Sequence, residues 1–381
     1  MTDAIVPPAP LTEPIFTPVP PPALVATPSP QVQASLPPPQ PFAFTGSGSE
    51  FFRIWIVNLL LSIVTLGIYS AWAKVRTAKY FYNNTTVAGA NFDYHGNPLS
   101  ILKGRLIALA AIATYYGAAY ISEGLGLALF FILAALMPWL LWKGLQFSFY
   151  NSSYRSVRFG FAGSTGKAYK VFLLFPILTP FTLYILWPFA HHEIKRFVHS
   201  EARFGRHSFS FKSCAGDFYI AYLFGLILMM GILLVFMVLG GIAFFIAYKS
   251  GGNMKDVMKT IGPALIIGVV LLYLSMFAIA PLIMAKLQNC VWNHTSLGDH
   301  TFVSNLPLGQ FVWVTLSNFF FIALTLGLFI PFAKVRLTHL KLSALSLVPG
   351  GPLDHFMAAA PQQVGATGEG MADLLDVDIS L

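Results

Sequence analysis

The chain has 381 residues, of which 56% are hydrophobic and only 10% are Asp, Glu, Lys or Arg. About a quarter of the residues of a soluble domain are charged, so this composition excludes an ordinary water-soluble protein. The formal net charge is +8, but the 23 basic residues flank apolar segments, which indicates a membrane protein and not a nucleic-acid-binding one.

Both ends of the chain are predicted to be tails. Fourteen of residues 1–41 are proline, and such a composition cannot bury a hydrophobic core, so this stretch is predicted to be extended or disordered. Residues 349–381 are rich in Gly, Ala and Pro and carry acidic but no basic residues, which predicts a flexible acidic tail. Either tail is a candidate binding segment for a protein partner.

Residues 42–348, between the tails, are predicted to form a membrane domain with seven apolar segments. Each segment is long enough, or nearly so, to cross a hydrocarbon core of about 30 Å as a helix. The segments are residues 51–73, 106–122, 124–142, 169–190, 218–248, 262–285 and 311–333. The predicted fold class is therefore an all-α polytopic membrane protein, a helical bundle with internal repeats.

Helix-breaking residues lie in the middle of three of these segments: Leu66-Gly67, Pro176 with Pro180, and Leu326-Gly327. If these three segments dip into the membrane and return, all but three of the 23 basic residues lie on the cytoplasmic side with both tails. If all seven segments cross, seven basic residues lie outside. We therefore predict four crossing helices and three dipping segments; the alternative is that glycine and proline merely kink ordinary crossings.

An aromatic motif occurs five times: "FAFTG" (42–46), "FDYHG" (92–96), "FGFAG" (159–163), "FSFKS" (209–213) and the degraded "FVSNL" (302–306). A spacing of two places both aromatic residues on one face of a strand. The last four copies follow polar stretches that begin at Asn83, Asn151, Ser200 and Asn293. Each of these is predicted to be a short β-hairpin at the cytoplasmic membrane surface.

The stretches "TLGIYSAWAKVR" (65–76) and "TLGLFIPFAKVR" (325–336) share seven of twelve residues. Four polar residues occupy matching positions in the two surrounding segments: Asn58 with Asn318, and Thr65 with Thr325. They are candidates for a polar path through the membrane. The alternative is that they form hydrogen bonds which hold helices together.

Basic residues follow both stretches at the same spacing. The first set is Lys74, Arg76 and Lys79, and the second is Lys334 and Arg336, followed by His339. Residues three apart lie on one face of a helix, so each set is a candidate site for a lipid phosphate or another anion. The alternative is that they only anchor the segment ends at the cytoplasmic surface.

No catalytic residue, metal site or cofactor site is predicted. Cys214 and Cys290 are the only cysteines and are too isolated in sequence for a disulfide framework or a metal cluster. His191, His192 and Glu193 lack further ligands at a suitable spacing, and His294, Asp299 and His300 are weaker still. An enzyme is therefore not expected.

The stretches "FTGSGSEFFRIWIVNLLLSIVTLGIYSAWAKVRTAKYF", "NTTVAGANFDYHGNP" and "GEGMADLLDVDISL" resemble the YjgN-type bacterial inner membrane proteins, a family defined by a domain of unknown function. The resemblance implies a multi-pass inner membrane protein surrounded by membrane lipids, and it supplies no site residues. From the residues we expect a channel or transporter-like protein for a small solute or lipid. The alternative is a non-catalytic scaffold that acts through its tails and hairpins. The sequence does not predict the oligomeric state.

Overall fold

A computed structural model describes residues 38–249 and 254–351. The predicted tails lie outside the described residues except at their inner ends, where Gln40 and Pro41 form a strand. The helices of the described part are α1 (Gly48–Val64), α2 (Ser70–Asn83), α3 (Pro98–Ile121), α4 (Glu123–Tyr150), α5 (Thr165–Tyr169), α6 (Phe175–Phe181), α7 (Trp187–Ser200), α8 (Ala215–Lys249), α9 (Met254–Asn293), α10 (Leu308–Leu324) and α11 (Ile330–Ser343). A π-helical turn, Lys170–Leu174, joins α5 to α6.

The described part also contains eleven short strands. They are β1 (Gln40–Pro41), β2 (Ala43–Phe44), β3 (Thr85–Val87), β4 (Ala90–Tyr94), β5 (Ser152–Tyr154), β6 (Val157–Phe161), β7 (Ala202–Phe204), β8 (His207–Phe211), β9 (Thr295–Leu297), β10 (His300–Ser304) and β11 (Leu345–Val348). All the pairs are antiparallel, and they form a single sheet in the order β1-β11-β10-β9-β8-β7-β6-β5-β4-β3-β2.

The predicted all-α fold class is therefore wrong. The four predicted hairpins do form, as β3–β4, β5–β6, β7–β8 and β9–β10. However, each hairpin also pairs with the next one along the chain, for example β4 with β5 and β6 with β7. Pairing between hairpins satisfies the backbone groups that isolated hairpins would leave exposed at their edges. The result is one continuous sheet and not separate surface hairpins.

The sheet closes on itself through the two ends of the domain. Strand β1 pairs with β11 and strand β2 pairs with β3, and only Phe42 separates β1 from β2. The Phe42 backbone N–H donates to the Leu345 carbonyl at 3.0 Å, so the connection between the two short strands is held as well. The segment that contains β1 and β2 thus bridges the two sides of the sheet, which becomes a nearly closed, barrel-like structure with little open edge.

The first aromatic residue of each motif points into this barrel. The five phenylalanines are all buried, and each ring contacts the next, with centroids 6.2 to 6.5 Å apart around a closed circle. They are Phe42, Phe92, Phe159, Phe209 and Phe302. These spacings are those of favourable contacts between aromatic rings. The barrel interior is therefore a packed core.

The second aromatic residue packs against the ends of the helices. Phe161, for example, contacts Phe149 of α4 at 5.6 Å and Phe197 of α7 at 5.3 Å between ring centroids. A Cβ atom on Gly163 would lie 2.6 Å from the Phe161 ring and 2.7 Å from the Phe197 ring. The ring of the second aromatic residue thus requires a small residue two positions later, which explains the glycine of the motif.

The helices are arranged as pairs that leave the sheet and return to it. Helix α1 begins with a capping box, in which Ser47 accepts from the Glu50 backbone N–H and the Glu50 side chain accepts from the Ser47 N–H. Each pair packs internally and also against the pair that follows it in the chain, and α11 packs against α1. Within the part of the chain that the structure describes, four helices, α3, α4, α8 and α9, are long and apolar enough to cross a membrane.

Candidate functional site

Three of the helix pairs reverse direction in a short turn. The predicted segments 51–73 and 311–333 each divide into two helices, with the turn at residues 65–69 and 325–329. Thr65 caps its turn, because its hydroxyl donates to the Leu61 carbonyl at 2.7 Å and accepts from the Tyr69 N–H at 2.9 Å. Thr325 makes the same two bonds, to Phe321 and Phe329, at 2.7 and 2.9 Å.

The middle segment contains a third turn of the same kind. The Thr182 hydroxyl donates to the Thr179 carbonyl at 2.9 Å and accepts from the Leu186 N–H at 3.2 Å. Leu183 adopts a left-handed conformation with φ 50°, as Leu66 does with φ 51°. Tyr184 stands where the other turns have glycine, so the motif is hidden in the sequence. Prolines 176 and 180, which the sequence indicates as breakers, lie instead inside α6.

Asn318 is buried between α10 and α11 and joins them. Its side-chain N–H donates to the Ala333 carbonyl at 3.2 Å, and its oxygen accepts from the Arg336 guanidinium at 2.8 Å. Arg336 also donates to the Ser317 hydroxyl at 3.3 Å. These contacts lie within one helix pair, which is the arrangement expected of the helix-joining alternative.

Asn58 holds α1 and α2 in a similar but weaker way. It is buried, and its N–H donates to the Ala73 carbonyl at 3.5 Å. Its side-chain oxygen has no hydrogen-bond partner among the described residues. Arg76, which matches Arg336, instead donates to the Tyr69 hydroxyl at 3.1 Å. The structure thus places both asparagines between paired helices; their role in a polar path stays a prediction.

The two basic sets occupy equivalent places on α2 and α11. Arg76, Lys79 and Lys334 are exposed, whereas Lys74 and Arg336 are partly buried. The Lys334 ammonium lies 4.8 Å from the centroid of the Phe81 ring, a cation–π contact between α11 and α2. Arg336 is engaged by Asn318, so its guanidinium holds the helix pair together. Binding of a lipid phosphate by these residues stays a prediction.

The histidines of α7 face different partners. The indole N–H of Trp187 donates to the Tyr222 hydroxyl at 3.0 Å, and that hydroxyl lies 2.9 Å from His191 Nδ1. The indole can only donate, so the hydroxyl oxygen accepts from it, and the hydroxyl proton is available to a neutral His191 imidazole. Burial lowers the pKa of His191 to about 4, which is consistent with this assignment. Burial likewise lowers the pKa of His199 to about 3.

The cysteines are not isolated in three dimensions, contrary to the expectation from the sequence. Cys214 and Cys290 lie close together at the base of α8 and α9, with Asp217 and His294 beside them. Buried His192 helps to hold Cys214 in position, because its Nε2 accepts from the Cys214 backbone N–H at 3.3 Å. Sequence reasoning missed the cluster because its two halves are more than 70 positions apart.

Comparison with known proteins decides the family. A family model described as "Bacterial protein of unknown function (DUF898)" matches residues 39–374. The chain belongs to the DUF898 family. The resemblance to YjgN-type proteins is confirmed as well, since relatives of this DUF898 protein carry the name "Inner membrane protein YjgN".

Three such relatives align with this DUF898 chain over 147 residues. The protein of Salmonella typhimurium strain LT2 is 35% identical, over 38% of this chain and 36% of its own length. Those of Escherichia coli O157:H7 and K12 are 31% and 32% identical, each over 37% of this chain and 36% of its own length. The chain thus spans about a third of the curated relatives it matches. No solved structure matches the DUF898 chain.

Proposed function

We propose that this protein is a non-catalytic scaffold of the bacterial inner membrane. In this proposal, the barrel lies at the cytoplasmic surface, two long helix pairs cross the bilayer, and three short pairs enter only the near leaflet. The barrel then serves as a platform from which both tails reach protein partners. The observation that carries the proposal is the ring of five phenylalanines inside the barrel.

The ring of five phenylalanines argues against transport along the barrel axis. Five buried phenyl rings in mutual contact leave a hydrophobic core where a channel or carrier would need polar groups or an opening. Helix α8, one of the long helices, offers no polar face either. Between Asp217 and Lys249, α8 has no charged, amide or Ser/Thr side chain, so every side of it suits lipid. A packed platform with lipid-facing helices is better suited to holding partners together.

The turns of the short pairs support insertion into the near leaflet. Leu66 and Leu326, at the tips, are each 94% exposed, which is costly in water but favourable in hydrocarbon. The backbone N–H groups of both tips donate within the turn, for example Gly67 to Ser62 at 2.7 Å and Gly327 to Ile322 at 2.8 Å. Backbone inside a membrane must be satisfied in this way.

Charge supports the proposed orientation. Of the 23 basic residues, only Lys249, Lys255 and Lys259 lie at the ends of α8 and α9 that point away from the sheet. The remaining 20 belong to segments on the sheet side. An excess of Lys and Arg marks the cytoplasmic face of an inner membrane protein. The relatives' name, inner membrane protein, supports the membrane to which this rule is applied.

We also infer that the four hairpins, the fifth strand group made of β11 with β1 and β2, and the helix pairs between them arose by duplication. The motif phenylalanines follow one another around the barrel in chain order, and the fifth position combines β11 with β1 and β2. The threonine-capped turns at Thr65, Thr182 and Thr325 share one backbone conformation. Duplication explains why two distant stretches of the chain carry nearly the same residues.

Cysteine labelling tests the membrane placement. Single cysteines at Glu50, Lys74 and Glu123 are treated with a membrane-impermeant maleimide, from either side of inner-membrane vesicles. We expect Glu50→Cys and Lys74→Cys to react from the cytoplasmic side and Glu123→Cys from the opposite side. The unsubstituted chain measures the background from Cys214 and Cys290. Reaction of the first two positions from opposite faces would contradict the dipping segments.

Removal of the tails tests the scaffold. The full chain and variants that lack residues 1–37 or 352–381 are solubilised under mild conditions and separated by native electrophoresis. A scaffold is expected to migrate in complexes larger than the chain alone, and these complexes are expected to shrink when a tail is removed. Each truncated variant must still show the thermal transition of the full chain, which controls for loss of folding.

Measurement of ion flux tests the alternative function, a channel or transporter. Proteoliposomes that contain the full chain are expected to conduct K⁺ and Cl⁻ no faster than protein-free vesicles. Flux that disappears in the double variant Asn58→Leu with Asn318→Leu would support a polar path and would overturn the scaffold proposal.

A further inference from the structure

Four side chains that commonly bind metals converge at the base of α8 and α9. Cys214, Asp217, Cys290 and His294 each offer one ligand atom, and these four atoms lie within 4.8 Å of one another. Cys214 directly precedes α8, and Asp217 lies in its first turn. Cys290 lies in the last turn of α9, and His294 follows that helix. The cluster therefore joins the two longest helices where they meet the sheet.

The spacing in sequence is that of zinc ligands. Two residues separate Cys214 from Asp217, and three residues separate Cys290 from His294. Ligand pairs with such short gaps sit on a single turn of chain and supply half of a tetrahedral site each. The isolation of the two cysteines in the sequence is therefore compatible with a site made of two separate halves.

The distances between the side chains suit a small ion. The Cys290 sulfur lies 3.7 Å from Asp217 Oδ2, and His294 Nε2 lies 4.0 Å from the same oxygen. Around tetrahedral zinc, with bonds of about 2.0 to 2.3 Å, neighbouring ligand atoms are about 3.3 to 3.8 Å apart. The four atoms would need to close by about 1 to 1.5 Å at most, a movement on the scale of side-chain rotations.

His294 has one ring nitrogen available to a metal ion. Its Nδ1 lies 2.8 Å from the Cys290 carbonyl oxygen and donates to it. The lone pair is thus left on Nε2, which points toward Asp217. A hydrogen bond from the second ring nitrogen to a backbone carbonyl is the usual support of a metal-binding histidine.

The positions of the four groups favour capture of a soft divalent cation. Cys214 is buried at the N-terminal end of α8, where the helix dipole stabilises a thiolate. The side chains of Asp217 and His294 are 53% and 32% exposed, so an ion can enter from solvent. Two sulfur ligands select zinc over magnesium or calcium. Two thiolates and a carboxylate carry three negative charges, which Zn²⁺ reduces to one.

We propose that Cys214, Asp217, Cys290 and His294 bind one Zn²⁺ ion in a closed structural site. Cys214 follows strand β8 and His294 precedes strand β9, and these two strands pair with each other. The ion therefore fastens the base of the α8–α9 pair to the sheet. Binding releases the thiol protons, and all four coordination positions are filled by the protein, so the ion has no catalytic role.

Metal content and cobalt spectroscopy test the proposal. The full chain is purified in detergent without chelator, and its zinc is counted by mass spectrometry. We expect about one zinc per chain and, after exchange with Co²⁺, intense visible bands of tetrahedral cobalt with thiolate charge transfer. Cys290→Ser and Asp217→Asn are expected to lower zinc affinity by ~10-fold or more, whereas Asp299→Asn, which changes an acid of the β9–β10 turn outside the cluster, leaves it unchanged.

Two results would overturn the site. One is the absence of both zinc and the cobalt bands in a fully reduced, folded chain. The other is a Cys214–Cys290 disulfide in protein whose thiols were blocked in intact cells, since the two sulfurs would then be unavailable to a metal. The cobalt spectrum of the unsubstituted chain decides the matter even if a variant fails to fold.

Discussion

Replacement of Phe159 by alanine is expected to destabilise the protein by about 3 to 5 kcal/mol, the usual cost of removing a buried phenyl ring. Phe159 is buried in the barrel, with ring centroids 4.9 Å from Phe204, 6.3 Å from Phe92 and 6.5 Å from Phe209. Its removal leaves a cavity between strands that cannot collapse, because the closed sheet fixes their spacing.

The measured quantity is the fraction of monodisperse protein that remains after heating in detergent. This fraction is determined by fluorescence-detected gel filtration. Phe181→Ala is the matched control, since it removes the same ring from the end of α6, where the side chain is 83% exposed. We expect the control to melt close to the unsubstituted chain. Equal losses for the two variants would show that the barrel is not the stabilising core.

Asn318→Leu is expected to cost about 2 to 3 kcal/mol, whereas Asn58→Leu costs less than about 1 kcal/mol. Asn318 gives up a hydrogen bond to Ala333 and a charge-assisted bond from Arg336. Asn58 gives up one long bond to Ala73, and its oxygen has no partner among the described residues. The two positions match in sequence, so each variant serves as the control for the other.

Denaturation of both variants in the same detergent gives the comparison. The change in midpoint is expected to be larger for the Asn318 variant. Addition of Arg336→Gln to Asn318→Leu removes the guanidinium that has lost its partner, and this second change is expected to recover the part of the loss that the charge causes. A larger loss at Asn58 would mean that its oxygen contacts a lipid or water molecule that stabilises α1 and α2.

The strands could be predicted from the sequence, but their association could not. The alternation of aromatic residues in "FGFAG" marks a strand with one buried face, and Asn151 marks the start of the preceding turn region. Each strand has only two to five residues, and nothing local says that β4 pairs with β5 across two long helices. That pairing depends on how the helices return to the sheet, which is a tertiary property.

The turns between paired helices could be predicted only in part from the sequence. Gly67 and Gly327 mark two turns because their φ angles, 90° and 94°, suit glycine. The third turn uses Tyr184 with φ 63°, and its threonine cap could have been found by aligning Thr182 with Thr65 and Thr325. The cysteine cluster had no such signal in the sequence. The pair Cys214 and Asp217 lies at the start of α8, where an acidic residue is common in any helix.

Strand β11 is synthesised last in the sheet, so the sheet cannot close until translation is nearly complete. Residues 40–44 are synthesised some 300 positions before residues 345–348, and β1 stays unpaired until β11 has been made. Until then the nascent sheet has two unpaired sides, each able to recruit a strand from a neighbouring chain. Translation that stops before Leu345, or a protease cut just upstream of it, therefore converts a self-contained molecule into one prone to aggregate at the membrane surface.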